Sequence, residues 1–514
     1  MNGAESLVRT LATAGVDTCF TNPGTSEMHI VAALDRVPEI RCVLGLFEGV
    51  VTGAADGYAR MTRKPASTLL HLGPGLGNGL ANLHNARRAN VPIVNLIGQH
   101  ALPHLPLDTP LTSDIEGIAR PCSKWVRTSR NSANLGSDAV EAVVASLTPP
   151  GQIATLIIPA DAAWSDGGKV AALPVLPRAA VPSGEAIERA AAMLRSNART
   201  AILLAESALY GKGLMAAGKI AAATNAKLLC PYPFARLERG LGRPHVERTQ
   251  YVLELAIDQY KEFRQLILVG ADAPVAYFAY PEKSSVVAQP DCKISRLASA
   301  RENCGRALEM LCEALEIRDV SGRDDPLERP SAPTGEITLA GLAGVVGAVL
   351  PENSIVVDES MTSGRGMMAS TRNSPPHDWL ANTGGSIGIA LPLAVGAAVA
   401  CPHRHVLCLS ADGSGMYTLQ ALWTMARENL RITTVIFSNR AYAVLKREFS
   451  GLGVGEPGPR AQQMFNIGQP NLDWVALAKG MGVNAARAAN LEGFSKLLQE
   501  AFNSGGPSLI EVAV

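Results

Sequence analysis

The sequence is sparing with charge and with aromatic rings. Asp, Glu, Lys and Arg make up 18% of its 514 residues, and Phe, Trp and Tyr only 5%. Acidic and basic residues number 46 each, so the formal net charge is zero. Without a basic excess there is no electrostatic footprint for nucleic acid or an anionic membrane, and neither is expected as a partner. Long apolar runs are absent too. The longest, IGIALPLAVGAAVA at 387–400, is too short to span a bilayer and contains Pro392, so a buried helix is expected. The opening MNGAESLVRTLATAGVD lacks a basic start and a continuous apolar stretch, and is not expected to be a signal peptide. The nine cysteines include no C-x-x-C pair; they are expected to be reduced in a cytoplasmic protein. What is plentiful is apolar side chain, 47% of the residues. That supports a large core, with surface to spare for burial against copies of the same chain.

Two stretches rich in Pro, Gly, Ser and charge read as linkers, 165–185 and 320–336. They divide the chain into expected domains at 1–165, 186–318 and 337–514. Each part alternates short apolar runs with helical patterns. Examples are IVNLIG and ATLIIP in the first, TAILLAES and LILVGAD in the second, HVLCLSADG and RITTVIFSN in the third. Continuous apolar strands with helical crossovers mean parallel sheets covered on both faces, so three doubly wound α/β domains are expected. Ligands in such sheets sit at the carboxyl ends of the strands.

One strand end stands out. SADGSG, 410–415, follows VLCLS and leads into a helical pattern. A carboxylate at Asp412 can hold a metal, and the amides of a helix start can hold a phosphate. Asn439 follows 27 residues later at the end of IFSN, an interval that fits one crossover and places both side chains at one sheet edge. A carboxylate, an amide oxygen and a nearby backbone carbonyl suit a hard cation such as Mg²⁺.

ADGS, 23 residues, then SN resembles the thiamin diphosphate (ThDP) motif, with Ala411 and Ser438 as departures from its usual Gly and Asn. The resemblance extends over nearly the whole chain, in the order pyrimidine-binding, middle and diphosphate-binding domain. It implies ThDP and Mg²⁺ as cofactors, with Asp412, Asn439 and Ala441 on the metal and Gly413, Ser414, Tyr442, Met361 and Thr362 around the diphosphate. LGLFEGVVTGAADGYAR resembles the stretch carrying the glutamate that exchanges a proton with the aminopyrimidine, here Glu48. NTGGSIGIALP resembles the stretch that bends the cofactor, with Ile387 beneath the rings and the Gly385 carbonyl accepting from the aminopyrimidine.

The nearest motifs are those of benzoylformate decarboxylase and acetolactate synthase. TNPGTSE resembles the decarboxylase turn, with Thr25 for its serine, and LHLGPGLGNG puts His71 at its histidine position. Gln99 matches a glutamine near the cofactor in acetolactate synthases. The decarboxylase's second histidine is missing: Ala279 stands there, and Val444 and Glu448 occupy positions of small and aromatic groups. No FAD is expected, because the middle part has only the scattered glycines of YGKGLMAAG. The resemblance therefore implies decarboxylation of a pyruvate-like 2-oxo acid with carboligation to a second carbonyl. The alternatives are a decarboxylase releasing an aldehyde and a non-catalytic ThDP-fold protein. It also implies a homodimer or dimer of dimers with sites between subunits.

Overall fold

The computed structural model describes residues 1–317 and 329–514. Residue 318, which ends the expected middle domain, and 320–328 of the second linker lie outside the described residues. Three sheets result. The first holds six parallel strands, in the order Arg41–Leu44, Thr18–Asn22, Ala66–Leu70, Ile93–Gln99, Ile153–Pro159, Trp125–Thr128. The second holds five parallel strands: Glu247–Arg248, Lys227–Cys230, Thr200–Leu204, Gln265–Val269, Lys293–Ala298. The third holds seven: Asn484–Ala488, Ser508–Ala513, Ile432–Ser438, Val406–Ala411, Ile355–Glu359, His377–Ala381, Leu237–Arg239. The last of these comes from the middle of the chain and pairs antiparallel with His377–Ala381, tying the second unit to the edge of the third.

Central strands such as Ile93–Gln99, Val406–Ala411 and Ile432–Ser438 are buried at every residue, because helices cover both faces. One apolar core runs from the first sheet into the third, through Val50, Ala54, Leu391 and Val406. It forms where helix Glu48–Thr62 packs on helix Ala390–Ala400. Cβ atoms built on Gly57 and Gly396 would overlap the carbonyl oxygens of Leu393 and Ala54, so the two backbones touch. The apolar run at 387–400 is thus a buried helix from Ala390 onward, with Pro392 in its first turn, where a missing N–H costs little.

Helix Glu48–Thr62 is buried from Gly49 to Met61, charges included. Asp56 and Arg60 face each other one turn apart, with two N–H···O contacts of 2.7 Å and no side-chain exposure. Burial pushes the Asp56 carboxyl up and Arg60 pulls it down. The remaining Arg60 donors reach Ala235 O at 3.1 Å, Ala381 O at 2.6 Å and Thr383 Oγ1 at 3.1 Å. One guanidinium therefore joins the first, middle and third parts of the chain. Among the described residues, no helix is long and apolar enough to cross a membrane.

The helix pair makes a clear demand. Gly396→Ala should lower the melting temperature by several degrees, since overpacking a tight contact costs about 1–3 kcal/mol or more. An unchanged melt would mean that the two helices can separate without loss.

Candidate active site

The first part of the chain gathers four candidates at one edge. Glu48 opens its helix directly after Phe47, and its Oε2 accepts from Asn78 Nδ2 at 3.0 Å. A Cβ on Gly75 would stand 3.3 Å from Glu48 Oε1 and 3.5 Å from His71 Cβ, so glycine lets both side chains approach. His71 ends its strand, and Leu72 turns the chain at φ 50° while fully buried. His71 Nδ1 faces Glu27 Oε2 at 2.9 Å. Glu27 is fully buried, receives the Gly24 N–H at 2.7 Å, and leaves Oε1 without a hydrogen-bond partner among the described residues. Burial pushes its carboxyl up, against the pull of His71. With Glu27 ionised, His71 Nδ1 is the donor of this bond. Thr25 is exposed beside Gly24, on which the His71 ring rests. Gln99 is buried at its strand end, and its Oε1 caps the His100 N–H at 2.8 Å.

The third part gathers the rest. Ala411 pairs with Phe437 across neighbouring strands, so Asp412 and Asn439 leave the same sheet edge side by side. Asp412 is buried; its oxygens accept from Gly413 N at 2.9 Å and Arg440 N at 2.7 Å, and burial pushes its carboxyl up. Asn439 Oδ1 accepts from Ala441 N at 3.0 Å. Each of these oxygens keeps a free lone pair, which suits one hard cation. Among the described residues, no three His, Cys, Asp or Glu gather as a metal site, so a cation here needs oxygens from a second group. A diphosphate supplies them. The Ser414 hydroxyl, buried beside Gly413, has no hydrogen-bond partner among the described residues and is available to it. Tyr442 lies against Gly413. Met361 sits at φ 51° beyond strand Ile355–Glu359, followed by the half-buried Thr362. Gly385, at φ 79°, and the half-buried Ile387 stand on the loop before Ala390.

These groups form two half-sites. Glu48 touches Asn78 and Gly75 near the start of helix Leu72–Arg88. His84 and Asn85, near its end, hold the Gly384 carbonyl at 3.1 Å and the Ser386 carbonyl at 2.8 Å. At 1.5 Å per residue, the two attachment points are on the order of 14 Å apart.

Such an arrangement of strand-end carboxylates beside a hard-cation edge suits an enzyme that uses thiamin diphosphate. Family models agree: "thiamine pyrophosphate enzyme, N-terminal TPP binding domain" matches residues 1–116, and "C-terminal TPP binding domain" matches 363–512. The chain is a member of the thiamin pyrophosphate-dependent enzyme family. It is 50% identical, over all of its length and 99% of the relative's, to a Mycobacterium tuberculosis protein provisionally named acetolactate synthase large subunit IlvX. It is 28% identical to benzoylformate decarboxylase of Pseudomonas aeruginosa, over 97% of this chain and 96% of that one. In fold it matches a 4-hydroxybenzoylformate decarboxylase from Rhodococcus jostii, with a TM-score of 0.87 at 24% identity, over 100% of this chain and 99% of that one.

Two carboxylates escaped the sequence reading. Glu27 lies inside TNPGTSE, but its burial against Gly98 comes from strands far apart in the chain. Glu359, in VDES, is the second. It is fully buried; Oε1 accepts from Asn382 Nδ2 at 2.9 Å, and Oε2 from Gly388 N at 3.1 Å and Ala390 N at 3.2 Å. It thereby holds both ends of the loop that carries Gly385 and Ile387. Burial pushes its carboxyl up to about 7, against the pull of these donors.

That value fixes a sign. A folded value above the ordinary 4.5 means stability complete below about 4.5 and lost as pH rises through about 7. The melting temperature of the wild type relative to Glu359→Gln should fall across that window and level off above it. The shift corresponds to on the order of 3 kcal/mol. Parallel profiles throughout would show that Glu359 stays ionised.

Proposed function

We propose that this enzyme decarboxylates a pyruvate-like 2-oxo acid and joins the remaining fragment to a second carbonyl compound, as the acetolactate synthases do. The observation carrying this reading is the set of acids available. Ala279 offers no imidazole from the middle part of the chain, and His71 has its Nδ1 committed to Glu27. A site poor in acids protonates a carbanion equivalent slowly and leaves it time to meet a second carbonyl. The name of the relative at 50% identity points the same way. The likeness to benzoylformate decarboxylase keeps aldehyde release as the second reading.

When bound, thiamin diphosphate supplies the nucleophilic carbon and the electron sink for decarboxylation. Asp412, Asn439 and the Ala441 carbonyl would hold Mg²⁺, and Gly413, Ser414, Tyr442, Met361 and Thr362 would line the diphosphate. Ile387 and the Gly385 carbonyl would support and orient its rings. Glu48 would hold the proton exchanged with the aminopyrimidine, while His71 and Gln99 would orient the substrate beside Thr25. The separation of the two half-sites within one chain supports a site completed by a second copy, with Glu48 of one subunit facing Asp412 of another.

Two experiments test this. Incubation with ThDP, Mg²⁺ and pyruvate or benzoylformate should give acetolactate or mixed acyloins by NMR; free aldehyde alone would select the second reading. Glu48→Gln and Asp412→Ala should each lower turnover at least about 100-fold. An equal mixture after subunit exchange should recover about a quarter of wild-type activity, the share of sites with two intact halves in random dimers. No recovery after verified exchange would place both groups in one chain.

A further inference from the structure

The loop that should carry the missing histidine is not bare. Two residues before Ala279, Tyr277 leaves the middle part of the chain and reaches the third. A Cβ built on Gly385 would overlap the Tyr277 hydroxyl oxygen, so the phenol fills the space that a side chain at 385 would take. That hydroxyl has no hydrogen-bond partner among the described residues. Its neighbours behave differently: Tyr280 spends its hydroxyl on Glu448 Oε2 at 2.7 Å, and Tyr251 lies beneath the Arg447 guanidinium.

The Tyr277 ring is fixed from behind. Tyr232 meets it edge-on with centroids 6.1 Å apart, Tyr251 stands 5.3 Å away, and Phe278 closes the other side at 5.1 Å. Such contacts hold a ring in one orientation and cost little entropy. Yet Tyr277 remains 38% exposed and Phe278 51%. A clustered, oriented phenol with an open face and an unused donor is poised for a ligand. Burial and the neighbouring Tyr232 push its pKa up while Arg88 pulls the other way, so it stays a donor at neutral pH.

We propose that Tyr277 is a catalytic residue of this site: its O–H donates a hydrogen bond to an oxygen of the bound 2-oxo acid, and its ring, backed by Tyr232 and Tyr251, forms the wall that limits the size of that acid. The assignment rests on the proposed reading, in which the Gly385 carbonyl would accept from the cofactor's aminopyrimidine. It deepens that reading by naming the contact that replaces the absent histidine. A phenol that keeps its proton orients the substrate's oxygen without quenching the carbanion equivalent, as carboligation requires.

The test uses the full-length enzyme with ThDP and Mg²⁺. Tyr277→Phe keeps the ring and removes the donor. Its KM for the 2-oxo acid should rise roughly 10- to 100-fold, the effect of losing a hydrogen bond to a charged group, with a smaller change in kcat. Methyl acetylphosphonate, which mimics pyruvate but cannot lose carbon dioxide, should bind more weakly by the same factor in calorimetry. ThDP affinity, read by tryptophan fluorescence, should stay within about twofold, showing that the cofactor site is intact. Tyr277→Ala should shift preference from pyruvate toward benzoylformate. If the wild type is active and Tyr277→Phe matches it within about twofold in KM and phosphonate affinity, the donor role is overturned while the proposed function stands. An unchanged size preference in Tyr277→Ala overturns the wall. A wild type that turns over no 2-oxo acid and binds no phosphonate sinks the reading itself, and this assignment with it.

Discussion

The Arg60 guanidinium is the constraint on which the arrangement depends. Its five N–H donors are spent on Asp56 and on three groups from distant parts of the chain, Ala235, Ala381 and Thr383. A buried guanidinium tolerates no vacancy among its partners, because removing one member of such a network typically costs about 3–5 kcal/mol. The three units are thereby held in one relation. The same helix that ends near Arg60 begins at Glu48, so the acid proposed for proton exchange is positioned by a contact more than three helical turns away. The glycine-lined seam with helix Ala390–Ala400 carries that rigidity to the loop of Gly385 and Ile387. Both half-sites therefore hang on one helix pair, and that pair lies in the deepest part of the core.

Strained backbone occurs where these elements end. Leu72, Met361 and Arg440 all adopt positive φ, each just past a strand that delivers candidate residues. For residues with a Cβ this conformation costs on the order of 1–2 kcal/mol each. Glycine would relieve the cost, yet the chain keeps side chains there. At Leu72 the reason is visible: its side chain is fully buried and anchors the turn that presents His71. At Arg440 the backbone N–H is held by Asp412, so the strained turn binds the two metal-edge strands together.

Much of this was legible in the residues. The buried parallel strands announce themselves as continuous apolar runs, and ADGS followed by SN marks the edge where Asp412 and Asn439 leave the sheet side by side, because both ends of that motif follow such runs. Other strands hide. Lys293–Ala298 and Asn484–Ala488 sit at sheet edges with half their residues in water, so selection for apolar side chains is weak there. His377–Ala381 is fully buried but begins His-Asp, because Asp378 is paired with Arg236 and Arg404 at 2.6 Å each. Glu27, Glu359 and Tyr277 were illegible for a further reason. Their significance lies in partners 44, 31 and 108 positions away along the chain, His71, Ala390 and Gly385, and no local pattern encodes such a meeting.

The carboxylates of the site show how surroundings divide labour among chemically identical groups. Glu359 accepts from donors at both oxygens, and its work is to hold a loop. Asp412 also accepts at both oxygens, but each donor is a single backbone N–H, so a lone pair on each remains for a cation. Glu27 has one oxygen satisfied and one bare, and it faces an imidazole whose tautomer it selects. Glu48 alone is half-buried, tethered by a single amide and with one oxygen unclaimed. Proton exchange needs an acid that a partner can reach. Glu27, Glu359 and Asp412 are buried and Glu48 is the one left accessible, which is why the exchange is proposed for it and supporting roles for the others.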